Sequence, residues 1–329
     1  MQTSLTRRIM DAPKRWPLLI GAYAGIELIG ANVKELVTNA YIQAEAVAAL
    51  QDRFNSPFLL TAMDLSVEAE AFGCEIHLSE DEIPTVIGRK VTGLDEINHV
   101  PIPKPGDKRT SVYLNVVEAL VKQTDAGFVM GGMIGPFSLA GRLFGVSDIL
   151  EATLTHPEPV QKLIGKCEQF LTAYALAFRD GGAAGVVMAE PVAGLLSPSG
   201  LAKFSAPYIK RIVESTQDEK FTIIYHNCGA RLVHLPRILE IGAEIYHFGE
   251  PMDLPGALAR GEDKVILCGN LDPTSVFYSG SEQEVVEKTR DLLTNCSQYR
   301  GFIPSSGCDL PPGVPLRNLE AFYTTVGEI

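Results

Sequence analysis

Three side chains of this protein are of types that bind soft metals, and their spacing suits one shared ion. The stretch "IYHNCG" (224–229) ends an apolar run and carries His226 and Cys228 one residue apart. In extended backbone, residues two apart project to the same side, so both would face one site. Cys308, in "SSGCDLPPG" (305–313), follows 80 positions after Cys228. One imidazole and two thiolates leave the fourth corner of a zinc tetrahedron open, which is the pattern of a catalytic centre. Magnesium and calcium prefer oxygen donors and do not suit this set. A plainer reading stands beside it: free cysteine is among the most buried residue types, and H-x-C alone is a weak signal. The metal reading needs a fold that carries Cys308 to the strand end holding His226.

The elements that would do so are short apolar runs separated by helical patterns. The runs are "PLLIGAY" (17–23), "PFLLTAMD" (57–64), "GFVMGGMIG" (127–135), "AAGVVMAEP" (183–191), "FTIIYHNC" (221–228), "EIYHFGE" (244–250), "KVILCGNLD" (264–272) and "YRGFIPSSGC" (299–308). Near-continuous apolar runs of this length suit strands buried on both faces of a parallel sheet. Helical periodicity covers 33–54, 111–123, 157–182, 199–217 and 281–296, with Ser199 and Ser281 as N-caps and Gly181-Gly182 as a stop. Eight strands alternating with helices predict an α/β protein, a single (β/α)8 TIM barrel spanning 1–329 as one domain. A doubly wound sheet is the alternative, but no G-x-G-x-x-G follows the first run. The segment 74–110 reads as a short excursion after the second strand.

Such barrels carry their chemistry at the C-terminal strand ends. Those ends deliver Asp64, Glu190, His226 with Cys228, Glu250, Asp272 and Cys308 to one rim. Cys74, Cys167 and Cys296 sit in helical or loop contexts and Cys268 within an apolar strand, so these read as packing residues. His234 falls in a helical stretch as a surface or packing residue, and His77, His99, His156 and His247 show no partner pattern.

Composition narrows the function. A net charge of -12 argues against nucleic acid, because phosphate backbones need a basic surface, while single Lys or Arg residues remain able to hold a small anion. No apolar h-region follows Met1, and no run of about 18 apolar residues offers a membrane span. The six cysteines are scattered, as in a reduced, cytoplasmic enzyme.

Four stretches carry a family resemblance. "AEPVAGLLSPSGLAKFSAPYIKRI" (189–212), "HNCG" (226–229), "CGNLDPTSVF" (268–277) and "SSGCDLPPGVPLRNLEAF" (305–322) resemble the uroporphyrinogen decarboxylase superfamily, over most of the chain and most clearly in its C-terminal two thirds. That resemblance implies a single (β/α)8 barrel. Within it, true decarboxylases carry an "RQAGRY"-type arginine segment, a tyrosine after "GAPWTL" and a histidine in "GHG". Here the corresponding positions read "LIGAYAGIEL" (19–28) without arginine, Arg142 in "GPFSLAGRLFG", and Cys308. Asp64 in "TAMDLSVEAEAFGCEI" does match the decarboxylase aspartate.

H-x-C followed by a cysteine in a "GC" turn before "PPGVPLRN" is instead similar to the corrinoid-dependent methyltransferases of the methylcobalamin:coenzyme M type. The resemblance implies zinc on His226, Cys228 and Cys308, with Glu250 as a candidate fourth ligand. It implies catalytic roles for Asp64 and Glu190 beside the substrate or corrinoid, and substrate binding by Arg142 and Asp272, Arg142 holding an anionic acceptor such as a sulfonate. Zinc would activate a thiol acceptor such as coenzyme M, which takes the methyl group of methylcobalamin. The chain lacks a D-x-H-x-x-G motif, so the corrinoid is expected on a separate methylated corrinoid protein. The alternative is the donor side, passing methyl from an O- or N-methyl substrate to Co(I). Uroporphyrinogen decarboxylation is a more distant alternative.

Overall fold

The structure is a computed structural model, and it describes residues 4–124, 127–261 and 265–328. Its main sheet is parallel and follows chain order, apart from a small hairpin set to one side. Strands β1 (Phe58–Leu60), β4 (Phe128–Ile134), β5 (Gly185–Ala189), β6 (Thr222–Asn227), β7 (Ile245–Phe248), β8 (Ile266–Leu271) and β9 (Phe302–Ser306) pair each with the next. The hairpin is β2 (Glu75–His77) against β3 (Thr85–Ile87), antiparallel, inside the 74–110 excursion. Seven of the eight expected runs therefore form or contain strands of one curled sheet, with helices on its outer face. Residue 264, the expected start of β8, lies outside the described residues.

The first run, 17–23, is the exception. It contributes one parallel bridge, Leu18 to Ser305, in place of a strand. Pro17 has no N–H to give a ladder, and the chain turns into a 3-10 helix at Ala22–Ala24. Leu18 N donates to Pro304 O at 3.1 Å, and Leu310 N donates to Ile20 O at 2.8 Å. The eighth position of the (β/α)8 barrel is thus filled by an extended segment held to β9.

Side chains alternate between two apolar layers, as the pleat requires. Leu18, Phe58, Leu60, Met130, Val187, Ile224, Ile245, Ile266 and Ile303 fill the barrel interior. Leu59, Val129, Val186, Ile223, Tyr225, Tyr246 and Phe302 face the helices. The inward set on β6, β7 and β9 continues upward, two residues on, to His226, His247 and Ser305.

The long helical patterns are interrupted where a side chain competes for the backbone. The 33–54 pattern divides at Asn39, extended at φ -128° and ψ 112°, into Val33–Thr38 and Ala40–Phe54. Asn39 Oδ1 accepts from Tyr41 N at 3.0 Å and caps the second helix. The 199–217 pattern divides at Ser205 into Pro198–Phe204 and Ala206–Thr216, and its cap is Ser197, accepting from Gly200 N, and not Ser199. Ser281 does cap Glu282–Asn295, in a capping box with Glu284. Gly181 ends Pro157–Asp180. Among the described residues no helix is long and apolar enough to cross a membrane.

Candidate metal centre

His226 lies on the last turn of the β6 pleat, buried at 2% exposure, and Cys228 follows just beyond the strand. Cys308 follows the end of β9 by two residues, and both thiols are half-buried. The ligand atoms of His226, Cys228 and Cys308 all lie within 4.8 Å of one another. Cys308 Sγ stands 3.7 Å from His226 Nε2. The edges of a tetrahedron built on Zn–S and Zn–N bonds of ordinary length are about 3.6 Å, so the spacing and the donor types fit a zinc ion. The other four cysteines are buried and unpaired.

The two thiols are hydrogen-bonded to each other, which separates their acidities. The bond from Cys308 brings Cys228 down to about 7 against the opposing effect of burial. Cys308, as the donor and partly desolvated, is pushed up to about 12. The lowering favours the thiolate of Cys228, the form that ligates a metal. Gly249, just past β7, lets the strand ends close on this pair: a Cβ there would sit 2.2 Å from Cys228 O and 2.9 Å from Cys228 Cα.

The remaining expected residues divide by what holds them. Asp64, 4% exposed, accepts from Ser66 N at 2.9 Å and Ser66 Oγ at 2.6 Å, and pairs with Arg109 Nη1. Arg109 Nε also donates to Glu70 at 2.6 Å. Burial would lower the guanidinium's pKa, but the carboxylates around it raise it overall. Glu190 is fully buried and engaged inside the protein. Its Oε1 accepts from Phe137 N at 2.9 Å and Ser205 Oγ at 3.1 Å, and its Oε2 from Ser138 N at 2.8 Å. It thereby neutralises the start of helix Pro136–Phe144, where the backbone N–H groups have no helical partners. The break at Ser205 is what lets that hydroxyl reach it. Asp272 caps the π-helical turn Pro273–Tyr278, accepting from Thr274 N at 3.0 Å and Ser275 N at 2.6 Å. Glu250 is exposed and stands outside the triad's ligand group, although its main chain passes Gly307, next to Cys308. Arg142 is half-buried and has no ion pair among the described residues; burial lowers its pKa and Asp64 partly offsets this.

Several residues of the site carried no sequence signal. Arg109 sits 45 positions from Asp64, at the end of the excursion, and only the folded chain pairs them. Among the described residues, Tyr23 Oη, Tyr174 Oη, Glu68 Oε2 and both oxygens of Asp309 are buried without a hydrogen-bond partner. Burial, then Asp64 and Asp309, push the Tyr23 hydroxyl upward. Asp309 adjoins Cys308 in a motif already singled out and could have been found there. His247 lies at the pleat period after Ile245, and only the strand register sets it beside His226. Its Nδ1 lies 2.8 Å from His226 Nδ1.

Fold and site define a (β/α)8 barrel with a His, Cys, Cys group at the C-terminal ends of its strands. The chain belongs to the uroporphyrinogen decarboxylase (URO-D) family, whose model matches residues 12–329. It is 27% identical over 290 residues to the methylcobamide:CoM methyltransferase MtbA of Methanosarcina acetivorans, covering 85% of this chain and 84% of that one. It is 23% identical over 341 residues to a uroporphyrinogen decarboxylase of Pseudoalteromonas atlantica, covering 98% and 94%. A solved methyltransferase from Methanosarcina mazei shares the fold, with TM-score 0.88 at 20% identity over 98% of this chain and 97% of its own.

Two outcomes follow from this geometry. Gly249→Ala must displace the Cys228 backbone, so the affinity of the triad for added zinc, if it binds the ion, is expected to fall about tenfold or more in competition with a chromophoric chelator; unchanged affinity would show that the strand end yields without cost. Glu68 is buried with one oxygen accepting from Ile134 N at 3.0 Å, and burial pushes its acid up to about 8. The folded state keeps this proton while the unfolded chain loses it near 4.5, so stability falls as pH rises from about 4.5 to about 8. Glu68→Gln copies the neutral form and is expected to gain on the order of 4 kcal/mol over wild type at pH 8 but under about 1 kcal/mol at pH 5, measured by denaturant melts. An equal difference at both pH values would refute the assignment.

Proposed function

We propose that the whole chain acts as one domain, a zinc-dependent, corrinoid-linked methyltransferase of the reducing cytoplasm. The methyl group of a methylated corrinoid, carried on a separate protein, passes to a thiol acceptor such as coenzyme M. The observation that carries this reading is the N,S,S triad of His226, Cys228 and Cys308 gathered at strand ends. Similarity to methylcobamide:CoM methyltransferases supports it.

Bound by the triad, zinc would supply the Lewis acidity that makes a substrate thiol nucleophilic at neutral pH. In the transfer, the thiol gives up its proton to solvent, the sulfur–carbon bond forms as the cobalt–carbon bond breaks, and both electrons of the broken bond stay on cobalt as Co(I). The chain's own residues orient the acceptor. Arg142, half-buried and without an ion-pair partner among the described residues, supplies a cation for an anionic acceptor end. Asp309, next to Cys308, and Tyr23, within electrostatic reach of Asp309, offer unsatisfied hydrogen-bonding groups that a polar substrate would complete. The Asp64–Arg109 pair stiffens the wall behind Tyr23. Glu190 fixes the helix that carries Arg142, through Phe137 and Ser138. Asp272 holds the turn after β8 in shape on the same rim. Glu250 reaches the free metal position only if its exposed side chain turns inward.

Uroporphyrinogen decarboxylation is disfavoured by the residues themselves. The 19–28 stretch has no arginine for a multiply carboxylated substrate, and a thiol stands at position 308.

The test is loss of the methyl–cobalt absorbance of methylcobalamin on adding zinc-loaded protein and one of a panel of thiols. Coenzyme M is expected to be active, with the rate reduced by at least about a thousandfold in Cys308→Ala. Arg142→Leu should raise KM about tenfold or more for a sulfonate thiol and leave a neutral thiol unaffected. Methyl flow from an O- or N-methyl donor to Co(I), with no thiol active, would reverse the assigned direction. A chain that takes up no zinc and ignores Cys308→Ala would sink the reading.

A further inference from the structure

Beneath the triad, three inward side chains form one hydrogen-bonded line. His226 Nδ1 lies 2.8 Å from His247 Nδ1, and also 3.3 Å from the main-chain carbonyl of His247. His247 Nε2 lies 2.7 Å from Ser305 Oγ, which donates to Leu18 O. His247 and Ser305 are fully buried, and His226 nearly so.

The proton positions along this line are overdetermined. A carbonyl oxygen only accepts, so Leu18 O takes the Ser305 hydroxyl proton. Ser305 Oγ must then accept from His247, which places a proton on His247 Nε2 and leaves a lone pair on its Nδ1. That lone pair needs a donor, and the donor is His226 Nδ1–H. The other end gives the same answer independently: the His247 carbonyl beside His226 Nδ1 also requires a proton there. Reversing the tautomers would set acceptor against acceptor at two contacts, His247 Nε2 with Ser305 Oγ and His226 Nδ1 with the His247 carbonyl. The one consistent arrangement leaves His226 Nε2 bare, and that is the nitrogen 3.7 Å from Cys308 Sγ.

We propose that His247 and Ser305 are positioning residues for the metal ligand. They fix His226 in the Nδ1–H tautomer, aim its Nε2 lone pair between the two thiols, and raise its basicity as a ligand. The inference deepens the metal reading above and rests on it. It also ties the ligand to the Leu18–Ser305 bridge, the point where the 17–23 segment joins β9.

The test uses the full chain, histidine-labelled with nitrogen-15, and zinc alone as ligand. Long-range nitrogen–proton spectra of the metal-free protein are expected to show His226 protonated at Nδ1 and His247 at Nε2. In chelator competition, His247→Leu is expected to weaken zinc binding about 10–100-fold. His247→Asn restores an acceptor near the former Nδ1 position and should recover most of that loss. Opposite tautomers, or Leu and Asn variants equal to each other, would overturn the relay. Cys308→Ala separates the two readings. If it loses zinc while His247→Leu keeps wild-type affinity, the relay falls and the metal site stands. If the wild type binds no zinc, the metal reading falls and the positioning role with it, while the spectra alone decide the proton order. Should His247→Leu fail to fold, Ser305→Ala carries the same comparison and is expected to weaken zinc binding several-fold.

Discussion

The parallel ladder from β6 to β9 is the constraint on which the site depends. It pairs His226 with His247, His247 with Cys268, and Cys268 with Ile303, so the inward side chains rise through the barrel in matched layers. The layer below is aliphatic, with Ile224, Ile245 and Ile266. Above it His226 and His247 are joined by a hydrogen bond, and His247 reaches on to Ser305. Because side chains alternate strictly, a one-residue slip of any of these strands would turn its part of the polar layer into the helix-packed face. The apolar layer therefore also fixes the proton arrangement above it.

Around the rim, charge is treated in two ways. Some groups are fully satisfied within the protein: Asp64 by Arg109 and Ser66, Glu190 by a helix start, Asp272 by a turn. Others are buried with oxygens left unpartnered, as at Tyr23 Oη and both oxygens of Asp309. Buried polar groups without partners cost free energy, and natural proteins keep few of them. Asp309, next to Cys308, marks a place where the fold is incomplete by itself. The satisfied groups hold the walls.

Much of this was legible in the chain. The strand runs, the barrel, the Ser281 cap and the His226–Cys228–Cys308 set all follow from residue type at a fixed period. The first strand was not legible, because Pro17 and the turn at Ala22–Ala24 reduce a convincing apolar run to one bridge. Nor were the helix breaks at Asn39 and Ser205, where one short polar side chain outweighs a long helical pattern. His247 was passed over because a lone histidine in an apolar strand has no visible partner until the strands are aligned.

The sequence by itself determined which residue types end each strand, and so that an imidazole and two thiols meet at a barrel mouth. Periodicity suffices for that, since it fixes which side chains point inward. Only the tertiary structure decided who answers whom. Arg109 reaches Asp64 from a separate excursion, Glu190 turns to a helix start, Glu250 stands away from the thiols, and Ser305 hands its proton to Leu18. Those pairings join positions far apart in the chain, and they depend on strand register and loop path, which no local pattern encodes.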